Sequence, residues 1–109
     1  MRRGDIVLVA LQRDYGKPRP AVIVQDDVIT AEGCDSVVVC PVTREISGVL
    51  SFRVLVEPTP ANGLRKSSEI MVEKLAGVPR RRLRGVVGRL EAEVLRTVER
   101  ALLVVLGFA

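Results

Sequence analysis

The sequence predicts a mainly β protein of the α+β class: a small, strongly bent antiparallel sheet or partial barrel, closed over by one C-terminal helix. Short apolar runs rich in β-branched residues recur along most of the chain, and turn or charged residues separate them. Near the C-terminus the apolar residues change to helical spacing. The 109 residues are enough for one domain with a modest core, which we expect to span residues 1–109.

Six segments have the composition or the alternation of strands. The first two are apolar runs bounded by turn or charged residues, and the fourth alternates with a period of two. Pro41 lies near the end of the third, where its missing amide donor is least harmful. The predicted strands are Gly4–Ala10, Arg19–Gln25, Ser36–Val42, Phe52–Glu57, Ser68–Lys74 and Gly85–Gly88.

The predicted connections carry most of the polar residues, as functional loops usually do. They are the loops Gln12–Pro18, Val28–Asp35, Thr43–Gly48 and Pro58–Lys66, followed by a basic turn around Pro79–Arg82. A helix is expected from Glu91, with a hydrophobic staple between Leu90 and Leu95. Its predicted apolar face comprises Val94, Leu95, Val98, Ala101, Leu102 and Val105.

Composition excludes several classes of function. The net charge of +4 is compatible with a polyanionic partner, whereas one Tyr, two Phe and no Trp are too few for a base-stacking platform. The absence of His excludes every His-based acid–base scheme and every His-containing metal site. The two cysteines, Cys34 and Cys40, lack the further ligands of a zinc shell and are expected to be free thiols. We expect no cofactor and no metal, unless carboxylates hold magnesium.

Hydropathy favours a cytoplasmic protein that does not enter a membrane. No apolar run approaches the roughly 20 residues that a spanning helix needs. The N-terminal basic pair, Arg2 and Arg3, precedes only a short apolar run, which is typical of a first strand and not of a signal peptide.

The most distinctive segment is Gly16–Pro20, where a loop passes into an apolar strand. Each proline fixes its own φ and favours an extended residue before it, so Lys17 and Arg19 both have a stiff, extended backbone. A planar, permanently charged guanidinium on such a backbone suits phosphate recognition. A plain turn with a solvated Arg19 explains the same residues equally well.

Other candidates lie at strand ends. Thr43 closes the third predicted strand, and if the second and third strands bring their loop ends together, Thr43 and Arg19 converge on one phosphate; a simple local cap is the alternative. Lys66, Ser67 and Ser68 offer a cation and two hydroxyls. Glu73 is either a solvated carboxylate or a partly desolvated base with a raised pKa. The basic run Arg80–Arg84 is either a solvated turn or a guide for a nucleic-acid backbone.

Taken together, the order and spacing of these residues resemble the MazF/PemK family of toxin endoribonucleases. The most specific feature is an Arg-Pro pair that enters an apolar strand, with a Thr at the end of the next strand. The matching segments are Arg3–Val7, Gly16–Gln25, Cys40–Thr43, Asn62–Leu64, Lys66–Ser68, Val72–Lys74 and Gly88–Leu90.

The resemblance implies an SH3-like antiparallel barrel of the plasmid-toxin type, a homodimer, and metal-independent, sequence-specific cleavage of single-stranded RNA. It implies attack by the RNA 2′-hydroxyl, which leaves a 2′,3′-cyclic phosphate and a 5′-hydroxyl, and an acidic antitoxin that blocks the site with an extended segment. Arg19 and Thr43 match the family's catalytic pair, and Glu73 falls on the position of a base. We expect RNA contacts from Lys17, Arg44, Arg53, Ser67 and Ser68.

Two other functions fit the same fold. One is a toxin that poisons gyrase by binding it and cuts nothing; the other is an inactive RNA-binding relative. The pairing of Arg19 with Thr43 favours the ribonuclease, because a gyrase binder has no use for that pair. The RNA motif that is cleaved cannot be carried over from the family.

Overall fold

The computed structural model describes residues 1–10, 17–48 and 51–109. These residues form seven strands and two α-helices, with 3₁₀ turns at Val72–Lys74 and Arg80–Arg82. The strands are β1 (Asp5–Val9), β2 (Arg19–Ile23), β3 (Ser36–Thr43), β4 (Arg53–Val56), β5 (Ser68–Met71), β6 (Ala76–Pro79) and β7 (Leu83–Arg89). The helices are α1 (Asp27–Ala31) and α2 (Ala92–Val105).

The strands form one antiparallel sheet in the order β4-β5-β3-β2-β1-β7, and β6 also pairs with β3. The predicted fold class is therefore confirmed, with an open, curved sheet in place of a closed barrel. Strand β3 is central because one of its edges is shared by two strands. Its first half pairs with β6 and its last two residues pair with β5.

Two apolar clusters cover the two faces of the sheet. The larger lies under α2, where Val98 and Ala101 are buried against sheet residues such as Ile6, Val22 and Ile70. The smaller lies on the opposite face and comprises Val7, Val9, Ala21, Ile23, Val37 and Val39. Each buried aliphatic side chain contributes roughly 1.5–3 kcal/mol, so the sheet is a firm support for its loops.

The predicted C-terminal helix is confirmed. Helix α2 begins at Ala92 after Glu91, and its apolar stripe packs against the larger cluster. The stripe has the six predicted positions, Val94, Leu95, Val98, Ala101, Leu102 and Val105. In the described part of the chain, no helix is long and apolar enough to cross a lipid bilayer.

The structure differs from the sequence prediction around β5 and β6. The predicted strand Ser68–Lys74 ends at Met71, and a 3₁₀ turn follows. This turn is a corner that lets the chain continue along the same edge of β3, where Ala76–Pro79 pairs with Ser36–Val39. The sequence predicts no strand over 76–79, only a basic turn that begins at Pro79, and Gly77 and Pro79 are poor strand formers.

The predicted connection Val28–Asp35 begins with most of the short helix α1. Asp26 caps this helix by accepting a hydrogen bond from the Val28 amide at 2.8 Å. A helix of five residues is too short to show an apolar period, so the sequence pattern gave no sign of it. In the predicted loop Gln12–Pro18, residues 12–16 lie outside the described residues.

The two cysteines are separate thiols with different surroundings. Cys34 is exposed and Cys40 is buried in the larger cluster. Burial, with a smaller effect of the Glu73 charge, raises the pKa of Cys40 to about 11. Cys40 therefore stays a neutral thiol and serves as an apolar core residue.

Candidate functional site

Strand register brings Arg19 and Thr43 to the same place. Strands β2 and β3 pair Ala21 with Pro41 and Ile23 with Val39, and this register continued by two residues sets Arg19 opposite Thr43. Residues directly opposite each other in an antiparallel pair have Cβ atoms about 4.5–5.5 Å apart. Both residues line one cavity of about 640 Å³ at this end of the sheet.

The cavity has an apolar floor and a cationic wall. Its floor includes one cross-strand row, in which Leu8 pairs with Pro20 and the β2–β3 register places Pro20 next to Val42. Its wall contains five exposed cations, Lys17, Arg19, Arg44, Arg65 and Lys66, and one exposed carboxylate, Glu45. A concave surface lined mainly by one sign of charge concentrates its field and attracts an anionic chain.

The Thr43 hydroxyl is oriented by its own loop. Its Oγ1 accepts a hydrogen bond from the Glu45 amide at 3.1 Å. Because a hydroxyl has one proton and two lone pairs, the Thr43 proton can be donated to a bound ligand while this bond is kept. The same turn places Arg44 and Glu45 on the cavity wall.

The loop that carries Arg65 and Lys66 is fixed by the buried Asn62. Its Oδ1 accepts from the amides of Thr59 and Leu64 at 3.0 Å, and its Nδ2 donates to the Glu57 carbonyl at 2.9 Å. Asn62 is 0% exposed, so these bonds are shielded from water. The loop geometry therefore depends on one side-chain amide.

Glycine is required where this loop packs on β7. Gly63 has a φ of +68°, and a Cβ there would lie 2.3 Å from the Val87 carbonyl oxygen. A Cβ at Gly88 would lie 2.2 Å from the Asn62 carbonyl oxygen. The close approach brings Gly63, Leu64 and Val87 together on the cavity lining.

The structure places two predicted site residues, Arg53 and Glu73, outside this lining and pairs them with each other. The Arg53 Nε and Nη2 donate to Glu73 Oε2 at 2.9 and 2.5 Å, and Arg53 Nη1 lies 3.7 Å from the Glu69 carboxylate. The hydrogen bond from Arg53 lowers the pKa of Glu73, although burial opposes it. The pKa of Arg53 is raised, chiefly by the same bond. A partly desolvated base would have a raised pKa, whereas the pairing with Arg53 lowers the pKa of Glu73.

The predicted RNA contacts divide into two groups. Lys17, Arg44 and Ser68 line the cavity, although Ser68 is buried and its hydroxyl donates to the Lys66 carbonyl at 2.8 Å. The Ser67 hydroxyl instead donates to Glu57 at 3.0 Å, and Ser67 is not among the lining residues. The roles of these residues stay predictions.

Sequence reasoning missed two lining residues, Arg65 and Glu45. The Asn62–Gly63 pair indicates a turn, and the two basic residues shortly after it are a usable signal, but nothing in the sequence shows that the turn folds back onto β7. Glu45 follows Thr43 by two positions, and only the folded structure shows that it lines the cavity.

A second cavity, of about 340 Å³, opens on the other face of the strands and is mostly apolar. Arg19, Pro20, Val42 and Thr43 line both cavities, so the predicted pair lies between them. Within residues 1–10, 17–48 and 51–109, no group of three or more Cys, Asp or Glu side chains could hold a metal ion. The described site is therefore built of guanidinium, ammonium, hydroxyl and one carboxylate group.

Fold and site define a small β-sheet protein with a cationic cavity suited to a polyanion. The family of PemK-like, MazF-like toxins of type II toxin-antitoxin systems matches residues 2–106, and the chain belongs to this family. A curated relative, "Probable endoribonuclease MazF" of Mycolicibacterium smegmatis, is 48% identical and covers 100% of this chain and 99% of its own. "Endoribonuclease MazF9" of Mycobacterium tuberculosis is 34% identical, covering 94% of this chain and 92% of its own.

The fold also has a close match among solved structures. A mycobacterial endoribonuclease in complex with its cognate antitoxin superimposes with a TM-score of 0.84. It covers 100% of this chain and 97% of its own at 16% identity, so this likeness concerns the fold alone. The family resemblance seen in the sequence is thus confirmed.

Proposed function

We propose that this chain is the toxin of a type II toxin-antitoxin pair and a metal-independent, sequence-specific endoribonuclease that cuts single-stranded mRNA. Two relatives that are named endoribonucleases match this chain over nearly their full length. The single observation that carries the mechanism is the placement of Arg19 and Thr43, from adjacent strands, on one cationic cavity. That placement suits a phosphodiester held between a guanidinium and a hydroxyl.

The nucleophile in this proposal belongs to the RNA. The 2′-oxygen attacks the adjacent phosphorus, the bond from phosphorus to the 5′-oxygen breaks, and the products are a 2′,3′-cyclic phosphate and a 5′-hydroxyl. The protein has to supply geometry, charge stabilisation and proton transfer. One proton leaves the 2′-hydroxyl and one is delivered to the departing 5′-oxygen.

Arg19 stabilises the pentacoordinate phosphorane by charge and by hydrogen bonds. An arginine guanidinium is a permanent cation with no proton to spare, so another group serves as the acid. Water delivers the proton to the leaving oxygen. The extended backbone between Pro18 and Pro20 limits the freedom that Arg19 loses when it binds phosphate.

Thr43 donates its hydroxyl proton to a non-bridging phosphate oxygen. The bond from the Glu45 amide occupies a lone pair of Oγ1 and orients the hydroxyl. A preorganised neutral donor of this kind strengthens its bond as negative charge develops on the phosphate. Thr43 and Arg19 therefore act on the same group.

Two carboxylates can be considered for the base that accepts the 2′-hydroxyl proton. Glu73, expected from the family position, is bound by Arg53 and lies outside the cavity lining. Glu45 lies on the cavity wall next to Thr43. The geometry favours Glu45, and the role of Glu73 stays a prediction that mutation can test.

The remaining cations hold the RNA backbone on either side of the cut. Lys17, Arg44, Arg65 and Lys66 surround Arg19 and can neutralise phosphates and release their counterions. The predicted contact from Arg53 has less support, because its guanidinium is engaged by Glu73 and Glu69. Base selection is expected to depend on the loops at the cavity mouth.

The proposal includes an acidic antitoxin, a homodimer and a cytoplasmic location. The cationic cavity offers an extended acidic segment the same complementarity that it offers RNA. A structural neighbour was solved with its cognate antitoxin. The family match over residues 2–106 supports a single toxin domain. The cytoplasmic location is proposed because mRNA is the proposed substrate.

The test is cleavage by protein that has been separated from its antitoxin. With a long single-stranded transcript in EDTA, we expect discrete fragments with 5′-hydroxyl and 2′,3′-cyclic phosphate ends. Arg19→Ala protein purified in parallel is the control for contaminating nucleases and should leave the transcript intact. Because Arg19 is exposed, the melting temperature of the Arg19→Ala protein should match that of the wild type.

Intact RNA after incubation of folded wild-type protein with several unrelated transcripts would contradict the proposal. Inhibition of gyrase by the same preparation would then support the gyrase-binding toxin. RNA that binds without being cut would support the inactive relative.

A further inference from the structure

We infer that Glu69 is a positioning residue for the cleavage proposed above: its buried carboxylate holds the loop that carries Arg44 and Glu45 against the cavity. This inference rests on the proposed function. Glu69 is neither a member of the predicted site nor a lining residue of the cavity. It acts through the backbone of the loop that follows β3.

Glu69 is an unusual residue for its position. It lies on β5 directly opposite Thr43 and is only 4% exposed. A glutamate is almost never so deeply buried unless its charge is satisfied by partners. An apolar side chain would fill the same place at lower cost, so the carboxylate calls for another explanation.

The partners of this carboxylate belong to one loop. Glu69 Oε1 accepts from the Ser47 amide and the Ser47 hydroxyl, each at 3.1 Å, and Oε2 accepts from the Gly48 amide at 3.1 Å. Arg53 Nη1 lies 3.7 Å away and adds an opposite charge. These contacts, the Gly48 amide foremost, lower the pKa of Glu69, so the carboxylate stays ionised as it holds the loop.

The loop is thereby fixed at two points beyond β3. The Glu45 amide is bound by Thr43, and the amides of Ser47 and Gly48 are bound by Glu69. Arg44 and Glu45, which line the cavity, lie in the chain between the end of β3 and the residues that Glu69 binds. Losing the second fixed point would let both side chains move relative to a phosphate held by Arg19.

The test compares Glu69→Gln with Glu69→Asp in steady-state cleavage, corrected for the folded fraction at the assay temperature. Glu69→Gln keeps the shape but presents an NH₂ group to one of the loop amides. We expect its kcat to fall roughly 10²-fold, as for a misplaced catalytic group, with KM rising by a smaller factor. Glu69→Asp keeps the charge and should recover part of the loss.

Glu57→Gln is the matched control, because that carboxylate also accepts from a serine hydroxyl but is itself exposed, and neither Glu57 nor its partner Ser67 lines the cavity. Its kcat should stay near the wild-type value. If Glu69→Gln does not fold, Ser47→Ala removes one donor from the same carboxylate and should lower kcat roughly two- to tenfold. An unchanged kcat in that variant would overturn the inference.

Amide hydrogen exchange separates this inference from the proposed function. Exchange at Ser47 and Gly48 should become faster in Glu69→Gln, and unchanged exchange would overturn the inference. Faster exchange with an unchanged kcat would show that Glu69 stabilises the loop without serving cleavage, which also overturns it. Absence of cleavage by the wild type would instead refute the proposed function.

Discussion

The phosphate-binding role proposed for Arg19 depends on a backbone that its neighbours already restrict. Pro18 and Pro20 limit its conformations before any tertiary contact forms, and strand pairing with Val9 then fixes its position. An exposed arginine without such restriction would lose more conformational entropy on binding. Both prolines are visible in the sequence, so the sequence alone could single out Arg19 as a candidate, and its role stays a prediction.

At Glu73, sequence reasoning was less informative because a carboxylate in an apolar segment has several possible partners. Only the structure shows that Arg53, 20 residues earlier in the chain, takes this role. A partner that distant depends on the pairing of β4 with β5, which no local pattern encodes.

The two carboxylates near the site give opposite expectations. We expect Glu45→Gln to lower kcat by roughly 10²–10⁴-fold if Glu45 is the base, and Glu73→Gln to leave kcat nearly unchanged. Single-turnover cleavage measured across pH distinguishes them, since removal of the base also removes the acid limb of the pH–rate profile. The reverse result would return the role of base to Glu73.

The Arg53–Glu73 ion pair should contribute to the stability of the fold and not to the rate of cleavage. The pKa of Glu73 is lowered in the folded state, so its contribution is present above the ordinary value of 4.5 and is lost as pH falls through the lowered folded value. The difference in melting temperature between wild type and Glu73→Gln should therefore shrink below that pH. A constant difference would argue against the ion pair.

Helices and strands with a clear apolar period could be predicted from the sequence, whereas a strand that depends on a turn in the chain could not. Helix α2 has a full apolar stripe and was predicted at its observed face. Strand β6 contains Gly and Pro and forms because the 3₁₀ turn returns the chain to β3. Pairing energy from a neighbouring strand decides that segment, and pairing is a tertiary property.

The loop between β4 and β5 depends on Asn62. Asn62→Ala removes the acceptor of two part-buried amides and a donor to a carbonyl, so we expect a loss of about 2–4 kcal/mol in the free energy of unfolding. Chemical denaturation measures it, with Ser67→Ala as the control because its hydroxyl contacts the exposed Glu57. A loss below about 1 kcal/mol would show that the loop is held by other contacts.

Across the whole molecule, folding converts a modest net charge into a local field. The chain carries only +4, yet among the described residues five of its 17 cations and a single carboxylate line one cavity. Sequence composition could indicate a polyanionic partner but not the concentration of charge. That concentration arises because strand ends and two loops from distant parts of the chain meet at one end of the sheet.

The convergence of Arg19 and Thr43 could be predicted from the sequence, whereas the residues around them could not. Arg19 is the first residue of β2 and Thr43 is the last residue of β3, so antiparallel pairing of these strands brings the two residues together. Arg65 reaches the cavity only through the buried turn at Asn62 and its packing on β7. Such contacts depend on the complete fold and leave little trace in local sequence.

A double-mutant cycle on Arg19 and Thr43 tests most directly whether both act on one phosphodiester. Arg19→Ala and Thr43→Val should each lower kcat/KM by roughly 10²–10³-fold without lowering the melting temperature. The double variant should lose less than the product of the two factors, with a coupling of about 0.5–3 kcal/mol. If the two losses in kcat/KM simply multiply, or if the Thr43→Val protein has wild-type turnover, the two residues do not act together on the scissile phosphate.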